Sequence, residues 1–131
     1  QKILKAEAPP VMPNDLASTT GSTNFSKVAP SSLKLYHLLA RKAKSKDFGS
    51  YKYRGEWGLL DHLIVSGTLL NQSNHFFTSE EKANVCLLPF LLKDDEKYGD
   101  KEPFRTYKGM KYQGGVSDHL PIYADFELIL Y

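Results

Sequence analysis

The sequence predicts an α+β fold, because one segment has helical spacing and two have the pattern of strands. Apolar side chains recur at helical intervals through residues 33–44, after a Ser-Ser pair as candidate N-cap and with basic residues toward the end, so a helix is predicted there. The apolar run at residues 59–66 is bounded by glycines and is predicted to be a strand. Residues 119–130 alternate apolar and polar side chains and are predicted to form the last strand.

The other segments show weaker patterns. Residues 1–30 are rich in Pro, Ser, Thr, Asn and Ala without helical or strand periodicity, and are predicted to be mostly irregular. Aromatic and charged residues alternate at 49–58, which indicates a short strand or an extended loop. Residues 85–92 are predicted to form a buried strand or its edge, and the charged residues 93–102 an exposed loop. No internal repeat or second domain is evident, so the 131 residues are predicted to form a single domain or the carboxyl-terminal part of one.

Charge and cysteine content narrow the classes of protein. The net charge of +2 creates no strong field of the kind that marks nucleic-acid binding, and the basic residues between Arg41 and Arg54 are interpreted mainly as a solvated helix face and loop. Cys86 is the only cysteine, which excludes an internal disulfide and a thiolate zinc site. Its apolar neighbours favour a small buried side chain over a nucleophile. No apolar run is long enough to span a bilayer, and the compartment stays open.

Two polar features interrupt otherwise apolar strands. Asp61 lies inside the predicted strand at 59–66, where its burial would be costly without a hydrogen-bond partner. Near the end of the chain, Ser117, Asp118 and His119 follow a glycine pair where a loop enters a strand. A carboxylate binds hard cations such as Mg²⁺, and an imidazole can hold or protonate a phosphoryl oxygen, so this tripeptide suits catalysis. The alternative is that Asp118 caps a turn and His119 is an ordinary strand residue.

Together the segments at residues 57–66 (WGLLDHLIVS) and 115–121 (GVSDHLP) resemble the two closing motifs of the endonuclease/exonuclease/phosphatase superfamily. The resemblance extends over residues 33–131, with residues 1–30 irregular. The sequences at 49–58 and 103–107 are most similar to those of bacterial hydrolase-like members. It implies part of a two-sheet α/β sandwich of the DNase I-like type with flanking helices, the predicted helix covering an outer face.

The same resemblance implies roles for three residues. Asp61 would accept a hydrogen bond from His119 and so orient and polarise it, and His119 would contact the scissile phosphate of a phosphate-ester substrate. Asp118 would lie beside a divalent cation, Mg²⁺ or in its place Mn²⁺ or Ca²⁺, as a ligand or an outer-shell acceptor. The substrate-binding residues stay unassigned: Arg54, Arg105 and Tyr112 are candidates for phosphate contacts, but surface packing is the favoured interpretation. His62 would lie on the opposite strand face from Asp61 and is a poor catalytic candidate.

Two further motifs of the family, an early metal-binding Glu and a Gly-Asp-Phe-Asn sequence, are not found in these 131 residues. The nearest candidate, Asn14-Asp15, has the polar pair in reverse order and lacks the glycine and phenylalanine. The chain is therefore expected to be the carboxyl-terminal part of a divalent-metal-dependent phosphoesterase or nuclease-like hydrolase, inactive without an upstream amino-terminal half as its partner. One alternative is a non-catalytic remnant that acts as a binding or scaffold module. Another is a nucleic-acid-binding module that uses Lys52, Arg54 and neighbouring tyrosines.

Overall fold

The computed structural model describes residues 6–10 and 30–130, and within them the chain is built almost wholly from short strands. They pair antiparallel into two-stranded sheets: β1 with β4, β2 with β3, β5 with β12, β6 with β11, β7 with β8 and β9 with β10. The strands are β1 (Leu35–His37), β2 (Tyr51–Tyr53), β3 (Glu56–Gly58), β4 (Ile64–Ser66), β5 (Phe76–Phe77), β6 (Ala83–Val85), β7 (Leu92–Asp94), β8 (Lys101–Pro103), β9 (Tyr107–Lys108), β10 (Lys111–Tyr112), β11 (Ile122–Ala124) and β12 (Glu127–Leu128).

The predicted helix at residues 33–44 is wrong, because this segment contains β1 instead. The backbone of β1 is used on both sides: β4 pairs with it antiparallel, and Glu7 forms a parallel bridge to Tyr36. The four residues from Tyr36 to Leu39 are all buried, whereas a surface helix would bury only one stripe of its side chains. Leu33, the first apolar residue of the predicted helix, is 95% exposed. Tertiary pairing has here overridden local helical propensity.

The predicted fold class is wrong for the same reason. An α+β arrangement, part of a two-sheet α/β sandwich with flanking helices, requires α-helices, and residues 6–10 and 30–130 contain only three short 3-10 turns, at Lys42–Lys44, Gly67–Leu70 and Pro89–Leu91. None of these turns has the length to cross a membrane.

The strands predicted at 59–66 and 119–130 are present but shorter than expected. The buried strand predicted at 85–92 is wrong: the segment contains only the end of β6, a 3-10 turn and the start of β7, and Leu87, Leu88 and Phe90 are exposed. In the segment 59–66 only β4 pairs, and the preceding residues are extended or bent so that Asp61 leaves the line of the strand. The segment 49–58 forms the hairpin β2–β3, whose turn residues Arg54 and Gly55 both have positive φ (50° and 87°), as a type I′ turn requires. The segment 93–102, predicted as a loop, is a hairpin between β7 and β8 with an exposed tip.

The interior consists of two apolar clusters that share several neighbours. The first contains Tyr36, Leu38, Leu39, Val65, Leu70 and Ala83, and the second contains Val85, Leu91 and Leu120. Phe48, Leu59 and Ile122 pack against both clusters and join them. Leu59 lies two residues before Asp61, and Leu120 directly follows His119. Because both leucines pack in the core, the core fixes the backbone near Asp61 and near His119.

Candidate active site

A tightly packed loop brings Asp118 and His119 to the surface. Gly115 lies against the backbone of the segment after β8: a Cβ there would come within 2.1 Å of the Phe104 carbonyl oxygen, so no other residue fits without a shift. The N–H groups of Gly115 and Val116 donate to the carbonyl oxygens of Arg105 (3.1 Å) and Phe104 (2.8 Å). The glycine before the Ser-Asp-His tripeptide is thus needed to hold the loop in place.

The backbone after the loop is anchored by short strand contacts. His119 forms an isolated antiparallel bridge with Tyr51, and the Leu120 N–H donates to the Ser50 carbonyl oxygen at 2.7 Å. Leu120 itself is 2% exposed and belongs to the second apolar cluster. Pro121 accepts a hydrogen bond from the Cys86 N–H at 2.7 Å. The imidazole therefore projects from a backbone that is held by its neighbours and by the core.

Asp61 and His119, separated by almost half of the chain, form the centre of the site. His119 Nδ1 lies 2.7 Å from Asp61 Oδ2, and each of the two side chains is 36% exposed. The hydrogen bond that the family resemblance implies is thus present in the structure. Ser50 donates its hydroxyl proton to the same carboxylate oxygen at 2.5 Å and is completely buried. One carboxylate oxygen therefore accepts two hydrogen bonds, and the aspartate is fixed between a buried serine and the imidazole.

The electrostatics of this pair favour an ionised carboxylate. Partial burial by itself raises the pKa of Asp61, but hydrogen bonds from Ser50 and His119 and the nearby imidazoles outweigh it, so the pKa lies below its ordinary value. An ionised carboxylate only accepts hydrogen bonds, so His119 Nδ1 must donate its proton. In neutral His119 the lone pair then lies on Nε2, which has no partner among the described residues. Asp61 thereby sets the tautomer of the imidazole.

Asp118 is exposed and makes no ion pair with any described residue. It adjoins the Asp61–His119 pair in the chain but does not share in it. Its oxygens are suitable for a hard cation, and Mg²⁺ commonly takes one or two carboxylates together with water and substrate phosphate. Residues 6–10 and 30–130 contain no group of three or more His, Cys, Asp or Glu side chains that could hold a metal by themselves. Asp118 therefore fits as one ligand of such an ion, not as part of a complete protein-built site.

An open cavity of about 290 Å³ lies in front of the pair. Asp61, Ser117 and His119 contribute its polar atoms, while Leu91, Val116 and Ile122 contribute apolar walls. A substrate group that entered this cavity would meet the imidazole and the serine on the loop. The shape is that of a shallow cleft at the surface, which suits one end of a larger molecule.

The remaining candidates from the sequence have other neighbours. His62 forms no hydrogen bond with Asp61: its Nδ1 lies 2.6 Å from His37 Nε2. Tyr112 packs edge-on against Tyr107, and Arg54 lies over the ring of Tyr53. The Asn14-Asp15 pair lies outside the described residues.

Three residues near the site were missed or undervalued in the sequence. Ser50 holds Asp61, and Tyr51 lies against His119 with ring centroids 5.0 Å apart. The guanidinium of Arg105 lies 5.1 Å from the centre of the Tyr51 ring and donates a hydrogen bond to the Lys52 carbonyl oxygen. Ser50 and Tyr51 follow Gly49 directly, but nothing in the local pattern distinguishes them from other residues at the start of a hairpin.

An imidazole that is oriented by a carboxylate, next to an exposed carboxylate and an open cleft, is an arrangement that can carry out acid–base chemistry. Comparison with known families identifies the group: a model of the endonuclease/exonuclease/phosphatase family matches residues 12–128, and the chain belongs to this family. The family prediction made from the two motifs is thus confirmed, and the match begins before residue 33, where the resemblance was expected to start. The family comprises phosphoesterase- and nuclease-like hydrolases that are generally dependent on divalent metals. Searches of curated proteins and of solved structures gave no significant match.

Proposed function

We propose that this chain carries the histidine–aspartate part of a divalent-metal-dependent phosphoester hydrolase site. The observation that supports this most strongly is the 2.7 Å contact between His119 Nδ1 and Asp61 Oδ2, because it joins the two family motifs through the atoms that the chemistry needs. Family membership supports a phosphate ester as substrate. The exposed Asp118 and the cleft beside His119 supply room for the reacting group.

In this proposal His119 contacts the phosphoryl group through Nε2, the nitrogen that Asp61 leaves available. When protonated, the imidazole donates a hydrogen bond to a phosphoryl oxygen, where negative charge builds up as water attacks. Asp61 holds the ring in position and stabilises its positive charge, and Ser50 holds Asp61. Asp118 would be one ligand of a bound Mg²⁺, Mn²⁺ or Ca²⁺, which supplies charge neutralisation at the phosphate.

The proposal includes a contribution from a segment that these 131 residues do not contain. The family's early Glu and its Gly-Asp-Phe-Asn motif, which bind metal and position the attacking water, are not found in the sequence. Asp118 alone is one ligand of the several that a divalent ion takes. We therefore expect the 131-residue chain to be inactive by itself and to acquire activity together with an upstream half that carries these motifs.

Exposed apolar side chains agree with such a partner segment. Phe76 stacks on Phe126 with ring centroids 5.0 Å apart, yet the two side chains are 47% and 39% exposed. Leu128, on the strand that pairs with β5, is 61% exposed. Single exposed apolar residues are ordinary, but adjacent ones on paired strands indicate a surface that another polypeptide segment can cover.

The test compares the 131-residue chain with the complete gene product that contains it. Both are assayed with bis(p-nitrophenyl) phosphate and Mg²⁺. We expect no hydrolysis above background from the 131 residues, and hydrolysis by the complete product that requires the metal. His119→Ala in the complete product should lower kcat by roughly 100- to 10,000-fold, because a positioned acid or base contributes about that much. His75→Ala, which changes an exposed histidine outside the site, is the matched control.

Three results would contradict the proposal. Rapid hydrolysis by the 131 residues alone would show that no upstream half is required. A complete product that folds and binds Mg²⁺ but is unaffected by His119→Ala would remove His119 from the chemistry. A complete product without any hydrolysis of phosphate esters would favour a non-catalytic binding or scaffold module instead.

A further inference from the structure

A second cavity, of about 270 Å³, lies next to the candidate active site and is strongly basic. It is enclosed by the β2–β3 turn and the loop between β7 and β8, and its charged lining residues are Lys52, Arg54, Lys97, Arg105 and Lys108 with Asp95 and Glu102. Five cationic groups thus face two carboxylates. On a chain whose net charge is only +2, this is a local concentration of positive charge.

Both carboxylates that line the cavity form ion pairs, whereas several of the cationic side chains do not. Asp95 pairs with Lys52 at 3.0 Å, and Glu102 lies 3.5 Å from Lys108. Arg54, Lys97 and Arg105 form no ion pair with any carboxylate of residues 6–10 and 30–130. Three positive charges therefore line the cavity without a carboxylate partner and are available to an anion.

Arg105 is held in a fixed position at the wall nearest to His119. One of its Nη atoms donates to the Lys52 carbonyl oxygen at 2.5 Å, and the guanidinium carbon lies 5.1 Å from the centre of the Tyr51 ring. Its Nε is buried without a hydrogen-bond partner. An arginine that is ordered by its neighbours but not neutralised loses little freedom when it binds an anion.

The ring of Tyr51 contacts both His119 of the active site and Arg105 of the basic cavity. Tyr51 contacts the imidazole of His119 at 5.0 Å and the guanidinium of Arg105 at 5.1 Å, so the two groups are at most about 10 Å apart. The residues after Tyr51 on the same hairpin line the cavity. This separation is short enough for one substrate with two phosphoryl groups to span.

We propose that this cavity binds a second phosphoryl group of the substrate, one that is not hydrolysed. The inference rests on the proposed hydrolase function for the identity of the substrate, but binding of the anion itself is independent of hydrolysis. Arg54, Lys97 and Arg105 would contact the phosphoryl oxygens, and guanidinium groups suit these oxygens because they donate two parallel hydrogen bonds. Substrates with more than one phosphate, such as a nucleic-acid strand or a phosphorylated small molecule, would then be preferred over simple monoesters.

The binding test uses inorganic pyrophosphate and the 131-residue chain, at constant ionic strength and without metal. In ¹⁵N-labelled protein we expect amide shifts at Gly55, Tyr98 and Arg105, which line the cavity. The double variant Arg54→Ala/Lys97→Ala should bind pyrophosphate about tenfold more weakly, since each exposed charge contributes modestly. The matched control is Lys44→Ala/Lys46→Ala, which removes two exposed charges that do not line the cavity and should change affinity less than about twofold.

Equal weakening in the two double variants, or shifts that are absent from the cavity amides, would overturn the inference. His119→Ala should leave pyrophosphate binding unchanged, so the anion site and the hydrolytic function can fail separately. Thymidine dinucleotides with and without a 5′-phosphate identify the source of the phosphoryl group. Tighter binding of the phosphorylated dinucleotide, lost in Arg54→Ala/Lys97→Ala, supports a nucleic-acid strand; pyrophosphate binding that neither dinucleotide competes with supports a smaller phosphorylated molecule.

Discussion

Two pairs of a carboxylate and a basic side chain lie beside strand β2. They differ in how many of their hydrogen-bonding atoms have a partner. Lys52 and Asp95 are almost entirely buried, with side chains 4% and 3% exposed. The Lys52 ammonium donates to Asp95 (3.0 Å) and to the carbonyl oxygens of Gly99 (2.8 Å) and Lys101 (3.0 Å), so all three of its protons are engaged. In the pair of Asp61 and His119, by contrast, both side chains are one-third exposed and one imidazole nitrogen is left without a partner.

The difference separates a structural pair from one that is equipped for chemistry. Burial alone would raise the pKa of Asp95, but hydrogen bonds from Lys52 and from the N–H groups of Tyr98 and Lys97 lower it below its ordinary value. The pKa of Asp61 is lowered against partial burial by two side-chain hydrogen bonds. Both carboxylates are thus kept ionised. Only the Asp61–His119 pair keeps an unused nitrogen that faces a cleft, and this makes it the candidate for catalysis.

The largest expected effect comes from breaking the buried pair of Lys52 and Asp95. Lys52→Met keeps the length and apolar stem of the side chain but leaves Asp95 buried and unpaired, so the melting temperature should fall by roughly 10 °C or more. Thermal unfolding followed by circular dichroism measures it. Lys101→Met is the control, because the ion pair of Lys101 with Asp94 is on the surface and should contribute little. Equal melting temperatures for the two variants would show that the buried pair is not structural.

Breaking the partly exposed pair of Asp61 and His119 should instead lower activity more than stability. Asp61→Asn retains the shape of the side chain but removes the charge that orients His119, so kcat of the complete gene product should fall by about 10- to 100-fold. The melting temperature should change far less than in Lys52→Met, because the site is half-exposed. Asp94→Asn, which changes a carboxylate that is 81% exposed, serves as the control. A loss of stability as large as that of Lys52→Met would mean that the two pairs do not differ in kind.

A third pair, His37 and His62, should give the smallest effect. His37 Nδ1 accepts from the Leu39 N–H at 3.1 Å, so its Nε2 donates to His62 Nδ1. Burial and then the neighbouring His62 lower the pKa of His37 below 6.5. Because the folded state resists protonation, its contribution to stability is complete above pH 6.5 and is lost as the pH falls toward the lowered pKa.

The measurement is the melting temperature between about pH 7.5 and pH 5.5. It should fall by a few degrees toward the acidic end, and His62→Phe should reduce this dependence because it removes the second charge. A dependence that is the same in His62→Phe and in the original protein would exclude repulsion between the two rings as its cause.

One contact of the site was predictable and the fold class was not. The resemblance of the two motifs to the family implied the hydrogen bond between Asp61 and His119, and the structure contains it. The segment 33–44 has helical periodicity, but Glu7 and β4 take up the backbone groups of β1 from distant parts of the chain. Ser50 and the basic cavity were not foreseen, because both arise from contacts between hairpins that no local pattern records.

Asp61 fixes the tautomer of His119, and the imidazole nitrogens report this tautomer directly. Long-range ¹H–¹⁵N spectra of the labelled protein, recorded with the ring neutral, distinguish a proton on Nδ1 from one on Nε2. The structure predicts that neutral His119 carries its proton on Nδ1, and that Asp61→Asn reduces the population of this tautomer. A proton on Nε2, or a tautomer that does not respond to Asp61→Asn, would contradict the account.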